Sequence, residues 1–249
     1  RSDTMMLCLL LAIAAATSAS VEASVANVSP GTDELHRVLD RRRSQVADFE
    51  IINTGIGWHE ARIPTIATSV PRAAFSWITK KLMGQVNIPI ITSNRINTPQ
   101  VGEDVLATGC ADMVSMARPM LADAHFVSKA MNGKAGQIAP CIACNQACLD
   151  HTFGGKISSC LVNPRACYET ELTLPDAAAK KTIAIVGAGP AGLSTAIAAS
   201  ERGHTVTIFD KSDEIGGQLN MAKQVPGKEE FWGLVDWYRM MIAELKIKT

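Results

Sequence analysis

TIAIVGAGPAGLSTAIAASERGHTVTIFD, residues 182–210, decides how this chain is built. Thr182–Val186 is predicted as a strand, and residues 204–209 as the next one. A helix runs between them to about Arg202, where Gly203 stops it. The turn that opens the helix reads Gly187-Ala188-Gly189-Pro190-Ala191-Gly192. A glycine fingerprint alone is weak, but between two strands and at the start of a helix it marks a dinucleotide-binding βαβ unit. Gly187 permits the tight turn, Gly189 lets the backbone approach a pyrophosphate, and Gly192 allows close helix–strand packing. Asp210 closes the second strand eighteen residues after Gly192 and is placed to bond a ribose hydroxyl. An acid there disfavours a 2′-phosphate. The alternative is a glycine turn in an ordinary α/β core.

Upstream the pattern is again strand, loop, helix. Residues 49–53 (FEIIN) and 88–92 (IPIIT) are predicted strands, the first opening into a polar loop at 54–65 and the second into Ser93-Asn94-Arg95. Thr98 as N-cap and Pro99 at the first position start a helix that Gly109 ends. A strand at 112–116 is followed by Ala117-Arg118-Pro119 and a helix over about 121–131. Units of this length make a parallel sheet with right-handed crossovers. The conspicuous polar residues (Asn53, His59, Asn94, Arg95 and Arg118) all follow strands. In a β/α barrel that edge is the active face, and its last loops commonly hold a phosphate. Arginine forks suit phosphate oxygens; the alternative is that each arginine pairs with a carboxylate at the core edge. His59, beside Trp58, is a catalytic candidate or an ordinary hydrogen-bonded loop histidine.

Between these regions lies Cys141-x2-Cys144-x3-Cys148-x11-Cys160, with Cys167 seven residues later. Three thiolates within eight residues and a fourth after a short excursion fit an iron–sulfur centre. Structural zinc is the rival, though zinc favours two separated pairs of ligands. Cys110 is expected as core filler, and clustered cysteines suit a reducing compartment better than a disulfide framework.

The whole chain has 249 residues, is 47% hydrophobic and 19% charged, and carries no formal net charge. A sizeable core follows, and no nucleic-acid footprint is evident. Arg41-Arg42-Arg43 sits near Asp40 and Asp48 and reads as a solvated helix face. The apolar run at 5–16 is too short to span a bilayer. It is leader-like, a buried helix, or foreign to the fold, so residues 1–45 are unassigned. Residues 46–135 are expected as barrel, 136–180 as metal segment and linker, and 181–249 as the first part of the nucleotide domain.

From about Ile51 onward the chain resembles the bacterial NADPH-dependent 2,4-dienoyl-CoA reductases. These are old-yellow-enzyme-like flavin oxidoreductases with an iron–sulfur cluster; trimethylamine dehydrogenase is a relative. The resemblance is carried by NTGIGWHEARIPT (53–65), TSNRIN (92–97), ADMVSMARPMLAD (111–123), CIACNQACLD (141–150), SSCLVNPRAC (158–167), VGAGPAGL (186–193) and EIGGQLNMAKQVPGKEEF (214–231). It implies an α/β protein: the C-terminal part of a (β/α)8 TIM barrel, a [4Fe–4S] segment, then the start of a Rossmann-like FAD domain. It implies Cys141, Cys144, Cys148 and Cys160 as cluster ligands, passing over Cys167. Arg95, Ala117 and Arg118 match the FMN site. The loop with Gly187, Gly189, Ala191 and Gly192, together with Asp210, Gln218 and Lys228, matches the FAD site. His59 matches a proton donor that works with a tyrosine, and Glu60, Ala61, Arg62 and Ile63 would lie beside an acyl-CoA.

The implied activity, in fatty-acid oxidation, sends electrons from NADPH through FAD, the cluster and FMN to a dienoyl-CoA. The expected setting is cytoplasmic, with an acyl-CoA as partner and neither nucleic acid nor membrane; oligomeric state is not implied. The only tyrosines, Tyr168 and Tyr238, both follow the barrel, so the chain reads as an internal fragment, expected to fold poorly and turn nothing over alone. An electron-transfer-only module and an amine dehydrogenase are the other readings.

Overall fold

The computed structural model describes residues 50–56 and 62–249. The apolar N-terminal run and His59, Glu60 and Ala61 lie outside the described residues. Three short strands, β1 (Ile52–Asn53), β2 (Ile90–Thr92) and β3 (Met113–Val114), form a parallel sheet in that order. Ile52 faces Ile90, and Ile91 faces Met113. β2 is central, and its Ile90 and Thr92 are buried almost completely. Helix α1 (Ser76–Leu82) lies between β1 and β2 in sequence, and α2 (Pro99–Ala107) connects β2 to β3. The Thr98 hydroxyl accepts from the Val101 N–H at 3.3 Å, and Gly109 turns the chain with φ +65°, so both ends of α2 follow the expected caps. Cys110 is buried with Ile96, Val105 and Val114 and fills the core as expected.

The single helix expected at 121–131 is instead two, α3 (Arg118–Ala122) and α4 (Phe126–Met131). Asp123 causes the break. Its backbone is extended, and its buried carboxylate accepts from the His125 and Ala139 N–H groups and pairs with Lys129 Nζ at 2.6 Å. An aspartate that offers backbone amides a side-chain acceptor competes with the helical ladder.

The second sheet pairs β4 (Thr182–Val186) with β5 (Thr205–Phe209) in parallel, from Thr182 opposite Thr205 to Val186 opposite Phe209. Helix α6 (Pro190–Glu201) makes the crossover. A helix of the cysteine segment, α5 (Leu149–Phe153), precedes this sheet; α7 (Leu219–Ala222) and α8 (Glu230–Glu244) follow it. Leu234, Tyr238 and Ile242, spaced four apart, put one face of α8 into the core that holds Leu193, Val206 and Ile208. Ile142 of the cysteine segment enters that same core. The turn that follows the barrel segment meets α8 as well: Trp237 Nε1 donates to the Gln137 carbonyl at 3.1 Å, and Met240 covers Gly136. The cysteine segment is thus wedged between barrel and nucleotide domain. Among the described residues no helix is long and apolar enough to cross a membrane.

A Cβ on Gly192 would run into the Gly187 carbonyl oxygen. Backbone cannot retreat as a flexible side chain would, so Gly192→Ala is expected to destabilise the nucleotide domain by at least about 2 kcal/mol. Urea unfolding followed by Trp fluorescence measures this; an unchanged midpoint would contradict the packing.

Candidate functional site

Cys141, Cys144, Cys148 and Cys160 all line one cavity, closed on another side by Arg118 and Leu121. Left-handed backbone at Ala143 (φ +52°) and Asn145 (φ +63°) winds the first three cysteines into a tight loop. The second arm is tied back by Ser159 N–H donating to the Ala147 carbonyl at 2.7 Å. Asn145 Nδ2 donates to Ile66 O at 2.6 Å, and Asn163 Nδ2 to Leu121 O at 2.9 Å, so both arms are fastened to the barrel segment. Cys167, by contrast, is exposed.

Burial pushes the Cys141 thiol up to about 11; the neighbouring Cys160 and Cys144 add to the rise, while the Ala143 amide and Arg118 oppose it. Burial raises Cys144 and Cys160 too, opposed by amides of Gln146 at the first and of Asn163 and Val162 at the second. Amides aimed at sulfur favour thiolates, whereas burial and mutual repulsion favour thiols. A cation in the cavity would reverse that balance. Among the described residues no three His, Cys, Asp or Glu side chains converge tightly enough to hold a single metal ion.

A second cavity of about 220 Å³ opens at the ends of the three barrel strands. Asn53, Asn94, Arg95, Ala117 and Arg118 line it, and Arg118 and Cys141 border both cavities. Asn94 and Arg95 are both left-handed, at φ +75° and +56°. Burial lowers Arg118, with Cys148 and Cys141 opposing. Arg95 is not the free phosphate fork expected from its position. Its Nε donates to Val70 O at 2.7 Å and its Nη2 to Glu230 at 2.6 Å, so the carboxylate alternative describes part of its role. Burial pushes the Glu230 carboxyl up, but hydrogen bonds from Arg72 and Arg95 hold it below the usual range.

At the glycine loop Asp210 accepts from Ala188 N–H at 2.6 Å and from Ser212 N–H at 2.8 Å, and the first of these bonds dominates a lowered carboxyl pKa. Its carboxylate thus closes the glycine loop. Gly217 packs against Gly189, a Cβ there falling 3.0 Å from the Gly189 Cα, which brings Gln218 beside the loop. Lys228 turns to the Phe231 ring, 5.8 Å from its centroid, in a stretch whose neighbour Gly227 lies against Ser69. Arg62 and Ile63 are exposed. Tyr238 is buried in the nucleotide domain with its hydroxyl 2.8 Å from Ser194 Oγ. Glu230 was not foreseen as part of a site; a lone acid opening an apolar stripe gives little signal.

Residues 20–137 match the NADH:flavin oxidoreductase / NADH oxidase family, and residues 185–236 an NAD(P)-binding Rossmann-like domain. The chain is of the old-yellow-enzyme-like NADH:flavin oxidoreductase family, with an NAD(P)-binding domain. It is 47% identical to a metal reductase of Desulforamulus reducens, over 72% of this chain and 27% of that protein. It is 31% identical to an N,N-dimethylglycine/sarcosine dehydrogenase of Chromohalobacter salexigens, over 80% of this chain and 29% of the other. Among solved structures it resembles 2-naphthoyl-CoA reductase in complex with 2-naphthoyl-CoA. The TM-score is 0.82 and the identity 32%, over 88% of this chain and 34% of that one. The chain spans between 27% and 32% of the length of the first four curated relatives.

In the metal-free chain a thiol pushed to about 11 stays neutral at pH 8, and only the thiolate alkylates. Iodoacetamide is therefore expected to label exposed Cys167 well before Cys141 at pH 8, with Cys141 catching up only as the pH nears 11. Peptide mass spectrometry measures both rates; equal rates at pH 8 would contradict the burial.

Proposed function

We propose that this chain is the electron-carrying part of an NADPH-dependent flavoprotein that reduces 2,4-dienoyl-CoA or a closely similar unsaturated acyl-CoA. In this reading Cys141, Cys144, Cys148 and Cys160 hold a [4Fe–4S] cluster, the barrel-edge cavity takes FMN, and the glycine loop takes FAD. The observation that carries it is that a cavity lined by four sulfurs shares Arg118 and Cys141 with a cationic cavity at the strand ends.

The donor set suits a cluster better than zinc. Four sulfurs around one zinc at about 2.3 Å would stand about 3.8 Å apart, and no three ligands among the described residues are gathered for one ion. A cluster offers each sulfur its own iron. The barrel-edge cavity suits a flavin phosphate through Arg95 and Arg118, with amides from Asn53 and Asn94 beside them. At the glycine loop the N-terminus of α6 and the close approach of Gly189 and Gly217 suit a pyrophosphate.

When bound, FAD would supply two-electron exchange, the cluster single-electron steps and FMN both. The chain's own residues bind and insulate. Arg118 sits between the two cavities and offsets negative charge in either. Ile142 and Leu121 keep water from the sulfurs. His59 would give a proton to the substrate carbon next to the thioester, with Glu60, Ala61, Arg62 and Ile63 beside the acyl-CoA. The segment 53–65 and the 2-naphthoyl-CoA reductase likeness favour a CoA thioester. The dimethylglycine/sarcosine dehydrogenase likeness supports amine oxidation as the second reading.

Anaerobic reconstitution with iron and sulfide tests the centre. The expected product is brown, holds about four irons per chain and bleaches with dithionite, and Cys144→Ala should lose both colour and iron. Zinc bound in place of iron would contradict the proposal. In the holoprotein, NADPH consumption with dienoyl-CoA, and no bleaching of the flavins by N,N-dimethylglycine without NADPH, is the result expected; flavins bleached by N,N-dimethylglycine would favour the second reading.

A further inference from the structure

Glu230 has four hydrogen bonds to its carboxylate. Arg72 gives two, from Nε at 3.1 Å and Nη2 at 2.7 Å; Arg95 Nη2 gives one at 2.6 Å and Asn97 Nδ2 one at 2.9 Å. The Glu230 and Arg95 side chains are each only 3% exposed. All three donors belong to the barrel segment, whereas Glu230 opens α8 of the nucleotide domain. Asn97 Nδ2 also donates to the Cys141 carbonyl at 3.0 Å. Its Oδ1 has no partner among the described residues, so the two acceptors alone fix the amide. One carboxylate thus touches the arginine of the barrel cavity directly, and the first cysteine of the sulfur cavity through one amide.

The geometry at Arg95 is over-determined. A non-glycine residue at φ +56° needs its surroundings to hold it. Its carbonyl accepts from Ala73 N–H at 2.8 Å, its Nε is taken by Val70 O, and its Nη2 by Glu230. With those two nitrogens committed, the planar fork has one orientation left. Charge counting gives the sign: two guanidiniums face one carboxylate, so the cluster keeps an excess positive charge for an anion in the adjoining cavity. Without the carboxylate, Arg95 would lose the acceptor that fixes its plane, and Arg72 its charged partner.

We propose that Glu230 is a positioning residue: through it, docking of helix α8 aims Arg95 at the phosphate of a flavin in the barrel cavity and, by way of Asn97, seats Cys141 at the metal centre. This rests on the reading of that cavity as an FMN site.

The test titrates FMN and riboflavin separately into the iron-loaded 249-residue chain, following flavin fluorescence, and records the EPR spectrum of the reduced centre. Riboflavin lacks the phosphate and so isolates it. Glu230→Gln is expected to weaken FMN about tenfold and leave riboflavin within twofold, while Arg239→Ala, which breaks a surface pair on the same helix, changes neither. Asn97→Ala should shift the EPR signal. Equal weakening of FMN and riboflavin, or no weakening of FMN, would overturn the aiming role; an unaltered EPR spectrum in Asn97→Ala would overturn the seating role. If Glu230→Gln does not fold, Glu230→Asp decides with the same two flavins, because it keeps the charge but withdraws it. A wild-type chain that takes up iron but binds neither flavin would sink the flavin reading itself, and this proposal with it. Selective loss of FMN in the variant alone leaves both standing.

Discussion

To hold the proposed cluster, four thiols would have to shed their protons in a cavity that disfavours charge, and both domains contribute groups that bear on that conflict. Burial and mutual repulsion raise the sulfurs, most clearly Cys141 at about 11. Backbone amides from residues 143, 146, 162 and 163 point the other way. Those amides can be aimed only because the loop enters left-handed backbone at Ala143 and Asn145, conformations that isolated residues other than glycine seldom hold. Packing supplies the restraint: Ile142 is buried among the nucleotide-domain residues, and Asn145 and Asn163 grip barrel carbonyls. The cysteine segment is therefore shaped by both domains at once.

That arrangement explains why α8 matters beyond its own core. Its first residue ties to Arg72, Arg95 and Asn97, its middle to the Gln137 carbonyl, and its last turns to Gly136. Breaking a buried ion pair on one side generally costs about 3–5 kcal/mol, so separating the domains would expose a cation pair as well as apolar surface. The two cavities accordingly keep a fixed relation, as the proposed single-electron exchange between them would require.

Much of this was legible in the sequence, and the failures have physical causes. The βαβ unit was readable because strand, glycine turn, helix and acid all agree. Thr98-Pro99 and Gly109 gave both ends of a helix by capping chemistry alone. The four cysteines were readable from spacing, although their shared cavity with Arg118 depends on contacts more than twenty residues apart. The helix at 121–131 was misread because Asp123 looks helix-compatible until its carboxylate finds Ala139 N–H, a tertiary event. For Arg95 the sequence left a phosphate and a carboxylate partner both open, because Glu230 lies 135 residues away. Asp210 was placed on a ribose with no hint that it also closes its own glycine loop. The stripe of Leu234, Tyr238 and Ile242 was there to be read as a helix; its neighbours Trp232 and Trp237 at off-stripe positions blur the apolar face.

The most direct measurement of the proposed electron path is EPR of the anaerobic holoprotein, frozen at intervals after mixing with NADPH. A signal from a reduced iron–sulfur centre that rises with NADPH and falls when acyl-CoA is added is the result the proposal predicts. Flavins that turn over substrate while the iron centre stays silent, or a protein with no iron centre to reduce, would contradict it.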